Sequence, residues 1–226
     1  MSTRNRTVTT STVAFLPPAP ILLPAYASTA DPGQELREAC LDAVSRLVED
    51  RPLRVLVLGE PADPDNLRRG VRSSLATRVA RSLLDTVGYA GELVSRTPDA
   101  TEGLVLSGEP CLVLANGSAR RHEQGPGHLD ERAFAFDQSV VKALCSGTGA
   151  DLGALDDVLG AELLASGTDV LRWVGAELHA GFETTVRYLD DPFGVQYWVV
   201  TWTPAAERGR LIQSNRSVNL ARQETR

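Results

Sequence analysis

Neither a disulfide framework nor a zinc knuckle can be drawn from the cysteines of this sequence. Cys40, Cys111 and Cys145 are odd in number, widely spaced and never arranged as C-x-x-C. Cys40 and Cys111 sit inside apolar patterns, where a thiol behaves as a small hydrophobe. Lysine is almost missing: of 23 basic residues only Lys142 is not an arginine, a bias of base composition to which no function is assigned. The 29 acidic residues leave a net charge of −6 and a pI near 5.2. That balance speaks against a dedicated binder of nucleic acid or of an anionic membrane. Long hydrophobic runs are lacking too. Pro17, Pro18 and Pro20 break the apolar stretch from Val13 to Leu23, and the polar first eleven residues have no signal-like segment behind them. A cytoplasmic protein is expected.

Several catalytic signatures are absent as well. There is no Gly-rich phosphate loop, no G-x-S-x-G elbow and no H-E-x-x-H, and Gly147-Thr148-Gly149 reads as a helix end. The histidines, His122, His128 and His179, are few for a metalloenzyme. His179 reads as a partner for a helix C-terminus.

What is present is the makeup of a globular chain: 226 residues, 42% hydrophobic and 23% charged, enough for one good core. Residues 1–11 have the composition of a disordered segment. Thr12–Leu16 reads as a strand, followed by a stiff proline-rich loop through Pro24. Leu36, Ala39, Cys40, Ala43, Val44 and Leu47 recur at helical spacing, Leu53–Leu58 reads as a buried strand, and Leu75 to Val87 carries a second helical stripe. Short strands are expected at Gly91–Val94, Leu104–Leu106 and Cys111–Ala115. A helix is expected over Arg132–Leu144, and one or two small helices over Leu152–Leu164, interrupted at Gly160. Asp169 is the expected N-cap of a helix over Val170–Leu178. Phe182–Leu189 and Val195–Thr203 read as a hairpin. Alternation of strand and helix with a closing hairpin predicts one α/β domain over residues 12–203, its sheet mainly parallel and flanked by helices, with some antiparallel strands. The polar tail, 204–226, is a flexible segment or one that docks on a partner.

The stretch from Leu112 through Asn116, Arg120 and Arg121 to Asp137 is a strand emptying into a polar loop, the edge at which α/β sheets usually place chemistry. Two guanidiniums there, Arg120 and Arg121, can hold a carboxylate or phosphate bidentately; equally, they can form a surface pair bridged to Asp130, Glu131 or Asp137. His122 and His128 share one loop with Glu123, Asp130 and Glu131, a candidate metal site of no familiar spacing. Glu60, Asp63 and Asp65 form an acidic loop, either solvated or cation-binding.

In order along the chain, Leu16-Pro17-Pro18-Ala19-Pro20-Ile21-Leu22-Leu23-Pro24, Asn116-Gly117-Ser118-Ala119-Arg120 followed by Phe136-Asp137, and Pro192-Phe193-Gly194-Val195-Gln196-Tyr197 resemble segments of the LigB-like family, the class III extradiol dioxygenases of the protocatechuate-dioxygenase type. A nearer likeness is to an actinobacterial branch of that family. Its loop G-S-A-R-R followed by P-G-x-L-D matches Gly117–Arg121 and Pro126–Asp130. The resemblance spans roughly residues 12–203. It implies non-heme Fe(II) held by two histidines and a glutamate, with a further histidine as acid/base. Those positions fall here at Pro18, at Glu60 or Pro61, at Asp169 ahead of Trp173, and, for the acid/base, at Ala119. Every expected histidine is replaced.

The resemblance therefore implies a LigB-like domain without the usual iron site. It would bind a small aromatic or anionic molecule at the strand ends through Asn116, Arg120 and Arg121, with Glu60, Asp169 and Tyr197 as wall residues, for metal-independent catalysis or for binding alone. Two alternatives stand beside it. One is a non-catalytic member of a homo- or hetero-oligomer. The other is a metal-dependent oxidoreductase, using Fe(II) or another divalent ion at a site relocated to His122 and His128.

Overall fold

The computed structural model describes residues 12–26, 31–98, 108–178 and 181–205. Six strands form one mixed sheet in the order β3-β2-β4-β1-β6-β5. They are β1 (Val13–Leu16), β2 (Arg54–Leu58), β3 (Glu92–Arg96), β4 (Cys111–Leu114), β5 (Phe182–Asp190) and β6 (Tyr197–Pro204). β3, β2, β4 and β1 run parallel, and β6 joins β1 and β5 antiparallel. Seven α-helices accompany them among the described residues: α1 (Gln34–Leu47), α2 (Pro64–Arg68), α3 (Leu75–Thr86), α4 (Arg132–Ser146), α5 (Gly149–Gly153), α6 (Asp157–Glu162) and α7 (Thr168–Glu177).

Successive strand side chains point to opposite faces, and both faces here are apolar. Ala14, Leu16, Val55, Val57, Leu112, Leu114 and Val199 face α1 and α3. Val13, Phe15, Leu56, Leu58, Val113, Val200 and Trp202 face α4, α5 and α7. That double burial explains why the strands read as continuous apolar runs rather than as alternating ones. Cys40 and Cys111 are core thiols, and burial pushes both well above the ordinary thiol range.

Four local expectations change. The Pro17–Pro24 segment is not wholly extended but winds into two short 3₁₀ turns, Pro20–Leu22 and Pro24–Tyr26. Within the acidic loop, Asp63 caps a helical turn, α2, its carboxylate accepting from the Asp65 and Asn66 N–H groups. The break between α5 and α6 falls ahead of Asp157, whereas Gly160 lies inside α6: a Cβ there would stand 2.5 Å from Thr168 Oγ1, so the glycine serves helix packing. The N-cap of α7 is Gly167, at φ 80, and Asp169 lies in the first turn. The expected strand at Leu104–Leu106, the termini 1–11 and 206–226, and His179 lie outside the described residues. No helix among the described residues is long and apolar enough to cross a membrane.

The helices that follow β1 and β2 cover one face, and the helix that follows β4, which lies between them, covers the other. Such a reversal opens a crevice beyond the carboxyl ends of the parallel strands.

Candidate functional site at the strand ends

The loop that leaves β4 is held by its own backbone. From Ala115 to Arg121 each amide N–H is taken: in order by Leu16 O, Ser166 O, Gln196 O, Asp137 Oδ1, Leu163 O, Ser118 Oγ and Gly194 O. Four separate segments are thereby knotted around one stretch. Gly117 sits at the tightest point, where a Cβ would lie 2.4 Å from Asp137 Oδ1 and 2.7 Å from Gln196 Cβ. Ser118 is fully buried and donates to Leu163 O at 2.9 Å.

The side chains of this loop are largely engaged within it. Asn116 is buried and donates to Gly117 O at 2.9 Å. Arg120 donates to Gly127 O at 2.8 Å, and its Nε is buried without an acceptor among the described residues. Arg121 lies between Asp191 (2.5 Å) and Asp137 (3.0 Å), with its guanidinium 4.7 Å from the centre of the Phe134 ring. Burial works against that cation, but the hydrogen bonds to Asp191 and Asp137 outweigh it and hold its pKa above the usual arginine value. For Asp137 the balance is reversed. Burial is the largest influence and lifts its pKa to about 6, against the Ser118 N–H and Arg121, which favour the charged form. Of the bridging partners expected for the arginine pair, Asp137 is the one used by Arg121. Asp191, 70 residues away, is a partner that no sequence spacing signals.

Two cavities open beside this knot and share Glu60. The larger, about 500 Å³, is lined by Glu60, Asp157, Leu164, Ser166, Thr168 and Asp169, with Ala161 and Ala165. The smaller, about 280 Å³, brings Pro18, Glu60 and Pro61 together with Asn66 of α2 and with Ser74 and Arg78 at the start of α3. Gly59 permits this approach: a Cβ there would meet the Ala76 methyl at 2.4 Å. The Glu60 carboxylate accepts from Ser166 Oγ at 2.8 Å and from the Gly167 N–H at 2.7 Å, which fastens the β2 loop to the entry of α7. Asp157 pairs with Arg172.

Glu60 and Asp169 thus share one cavity, and Pro18, Glu60 and Pro61 share the other. Asn116, Arg120 and Arg121 belong to the adjacent loop and are absent from both linings. Tyr197 is buried in the layer facing α1 and α3, where burial raises its pKa, and its ring meets Phe193 edge-on at 6.3 Å. His122 approaches Asp191 at 3.8 Å, whereas His128 Nδ1 faces Glu123 O at 3.2 Å. Among the described residues no three His, Cys, Asp or Glu side chains gather as a metal would require. Asp157, Ser166 and Thr168 escape sequence reading because they come from short helix ends without periodicity or motif. No protein-family model matches the chain, and no curated protein does.

Proposed function

We propose that this chain is a LigB-like domain that binds a small hydroxylated aromatic molecule at the strand ends without using the family's iron site. The observation that carries the reading is convergence. Pro18, Glu60 or Pro61, and Asp169 are the positions at which the resemblance puts the metal ligands. They lie far apart in sequence, yet they line two cavities that meet at one carboxylate.

The residues present do not fit Fe(II). A facial triad needs two imidazoles and a carboxylate with open positions. Pro18 offers no ligand atom, Glu60 already accepts hydrogen bonds at both carboxylate oxygens, and Ala119 can neither take nor give a proton. No ring-cleavage step is assigned.

The chemistry of the lining narrows the ligand. Glu60, Asp157 and Asp169 make the larger cavity acidic, and the guanidinium of Arg121 is already neutralised by two carboxylates. Of the aromatic and anionic ligands expected, a neutral aromatic is favoured, its phenolic hydroxyls donating to the carboxylates and its ring resting on Leu164 and the two alanines. Calorimetry and thermal shift with catechol as probe, and benzoate as an anionic control, test this. Catechol is expected to raise the melting temperature in proportion to its occupancy, and Glu60→Gln to weaken it about tenfold, or about 1.4 kcal/mol. Benzoate binding more tightly than catechol, or catechol binding equally well to Glu60→Gln, removes the reading.

A further inference from the structure

Charge is unevenly divided about the strand-end cleft. Residues 66–84 hold five arginines and no acid, whereas residues 143–171 hold five acids and no lysine or arginine, in a chain of net charge −6. The first stretch runs from α2 into α3, and the second from the end of α4 through α5 and α6 into α7. Folding sets the two on either side of Glu60. Asn66, Ser73 and Arg78 stand with Glu60 around the smaller cavity, and Asp157, Leu164 and Asp169 stand with it around the larger.

Much of this charge is left open. Arg68 pairs with Asp65 and is the one arginine of the five with a carboxylate partner among the described residues; Arg69, Arg72, Arg78 and Arg81 are exposed. Across the cleft Arg172 holds Asp157 and Arg132 holds Glu162, which leaves Asp156 and Asp169 exposed without a cation among the described residues. Apolar side chains accompany both zones: Leu67 is exposed on α2, Val158 on α6 and Leu164 just after it. All five residues of α2 lie outside the core, although so short a helix gains little by itself in water. Apolar side chains within a charged rim are the anatomy of an interface.

The division of charge selects the partner. A polyanion such as nucleic acid suits the arginines, but the acids across the cleft repel it. A second copy of this chain suits both zones at once. Turned about a two-fold axis that lies across the cleft mouth, along the boundary between the zones, each copy sets its arginines against the acids of the other. The contact is then made twice and closes on itself. Opposite charges meeting in this way fix the register and reject a parallel arrangement.

We propose that the chain pairs with a second copy of itself across the rims of the two clefts, the arginine face of α2 and α3 in one copy meeting α6 and the start of α7 in the other. The pairing does not depend on what the cleft binds. Sedimentation velocity and light scattering on the full chain, up to about 100 μM, test it. A dimer is expected in low salt, weakened about tenfold or more at roughly 1 M salt, where screening shortens to ~3 Å. Two charge-reversed variants, Arg69→Glu with Arg72→Glu, and Asp156→Ser with Val158→Arg, are each expected to be monomers with the circular dichroism of the parent. None of the four side chains lines either cavity, Val158 is 68% exposed, and serine keeps a capping oxygen for α6. Mixed in equal amounts, the two variants are expected to recover a dimer, because each reversed face then meets its complement. A folding defect would give no such rescue. A parent chain that stays monomeric, whether or not it retains an RNA oligonucleotide, overturns the proposal. Variants that dimerise as the parent does, a mixture that stays monomeric, or a mass that keeps growing past the dimer, the mark of open head-to-tail contact, overturn it as well.

Discussion

Gly117 is the residue on which the strand-end architecture is most sensitive to a single methyl group. Its Cβ would collide with a buried carboxylate, a glutamine stem and the Trp198 ring at once, and none of the three is the loose end of a side chain in solvent. Gly117→Ala is therefore expected to cost about 1–3 kcal/mol, the usual range for overpacking. Denaturant titration reads this as a lower midpoint at unchanged slope. A variant as stable as the parent would mean that the loop relaxes freely, and the knot would lose its standing as a rigid wall of the cleft.

Between elements, Asp137 on α4 joins the β4 loop through the Ser118 N–H, and Arg121 carries the connection on to Asp191 in the β5–β6 turn. Burial raises the Asp137 pKa from 3.8 to about 6, so the native state holds a proton that the unfolded chain releases. The associated stability is fully present below about pH 4 and is lost as pH rises through about 6. Carboxylates with lowered pKa values, Asp31 beside Arg37 and Asp130 beside Arg132, act in the opposite sense and weaken the fold as pH falls. Comparison with Asp137→Asn separates the two trends. From pH 4 to pH 7 the parent should lose stability relative to that variant, by on the order of 1–3 kcal/mol. A constant difference across that range would place the Asp137 pKa near its ordinary value.

For the molecule as a whole, the consequence of double burial is that neither helical layer can leave without exposing the other side of the same strands. Trp198 and Trp202 lie in the layer with α4, α5 and α7, and the indole N–H of Trp202 donates to Leu144 O at 2.7 Å. Their fluorescence reports one layer, whereas far-ultraviolet circular dichroism reports all the helices. Coincident midpoints by the two probes are expected in urea. Separated midpoints would show that the α1 and α3 layer unfolds as its own unit.

Much of this architecture is legible in the sequence. Strands β1, β2 and β4, helices α1, α3 and α4, and the closing hairpin follow from local periodicity, because burial on a sheet or on a helix stripe imposes a short-range pattern. Gly147, left-handed at φ 68, ends α4 as its sequence context indicated. Local patterns carry no information on which distant groups will meet. The Arg120-Arg121 pair could serve a ligand or a structural bridge equally well, until folding set Arg121 between Asp137 and Asp191. Gly160 looked like a break because glycine weakens helices, while the need it answers, room for Thr168, exists only after α6 and α7 pack. The sequence by itself determined the element types and the class of sheet. Only the tertiary structure decided that the β4 loop is a knot and Glu60 the centre of the cleft, since hydrogen-bond satisfaction and cavity shape depend on contacts between segments more than a hundred residues apart.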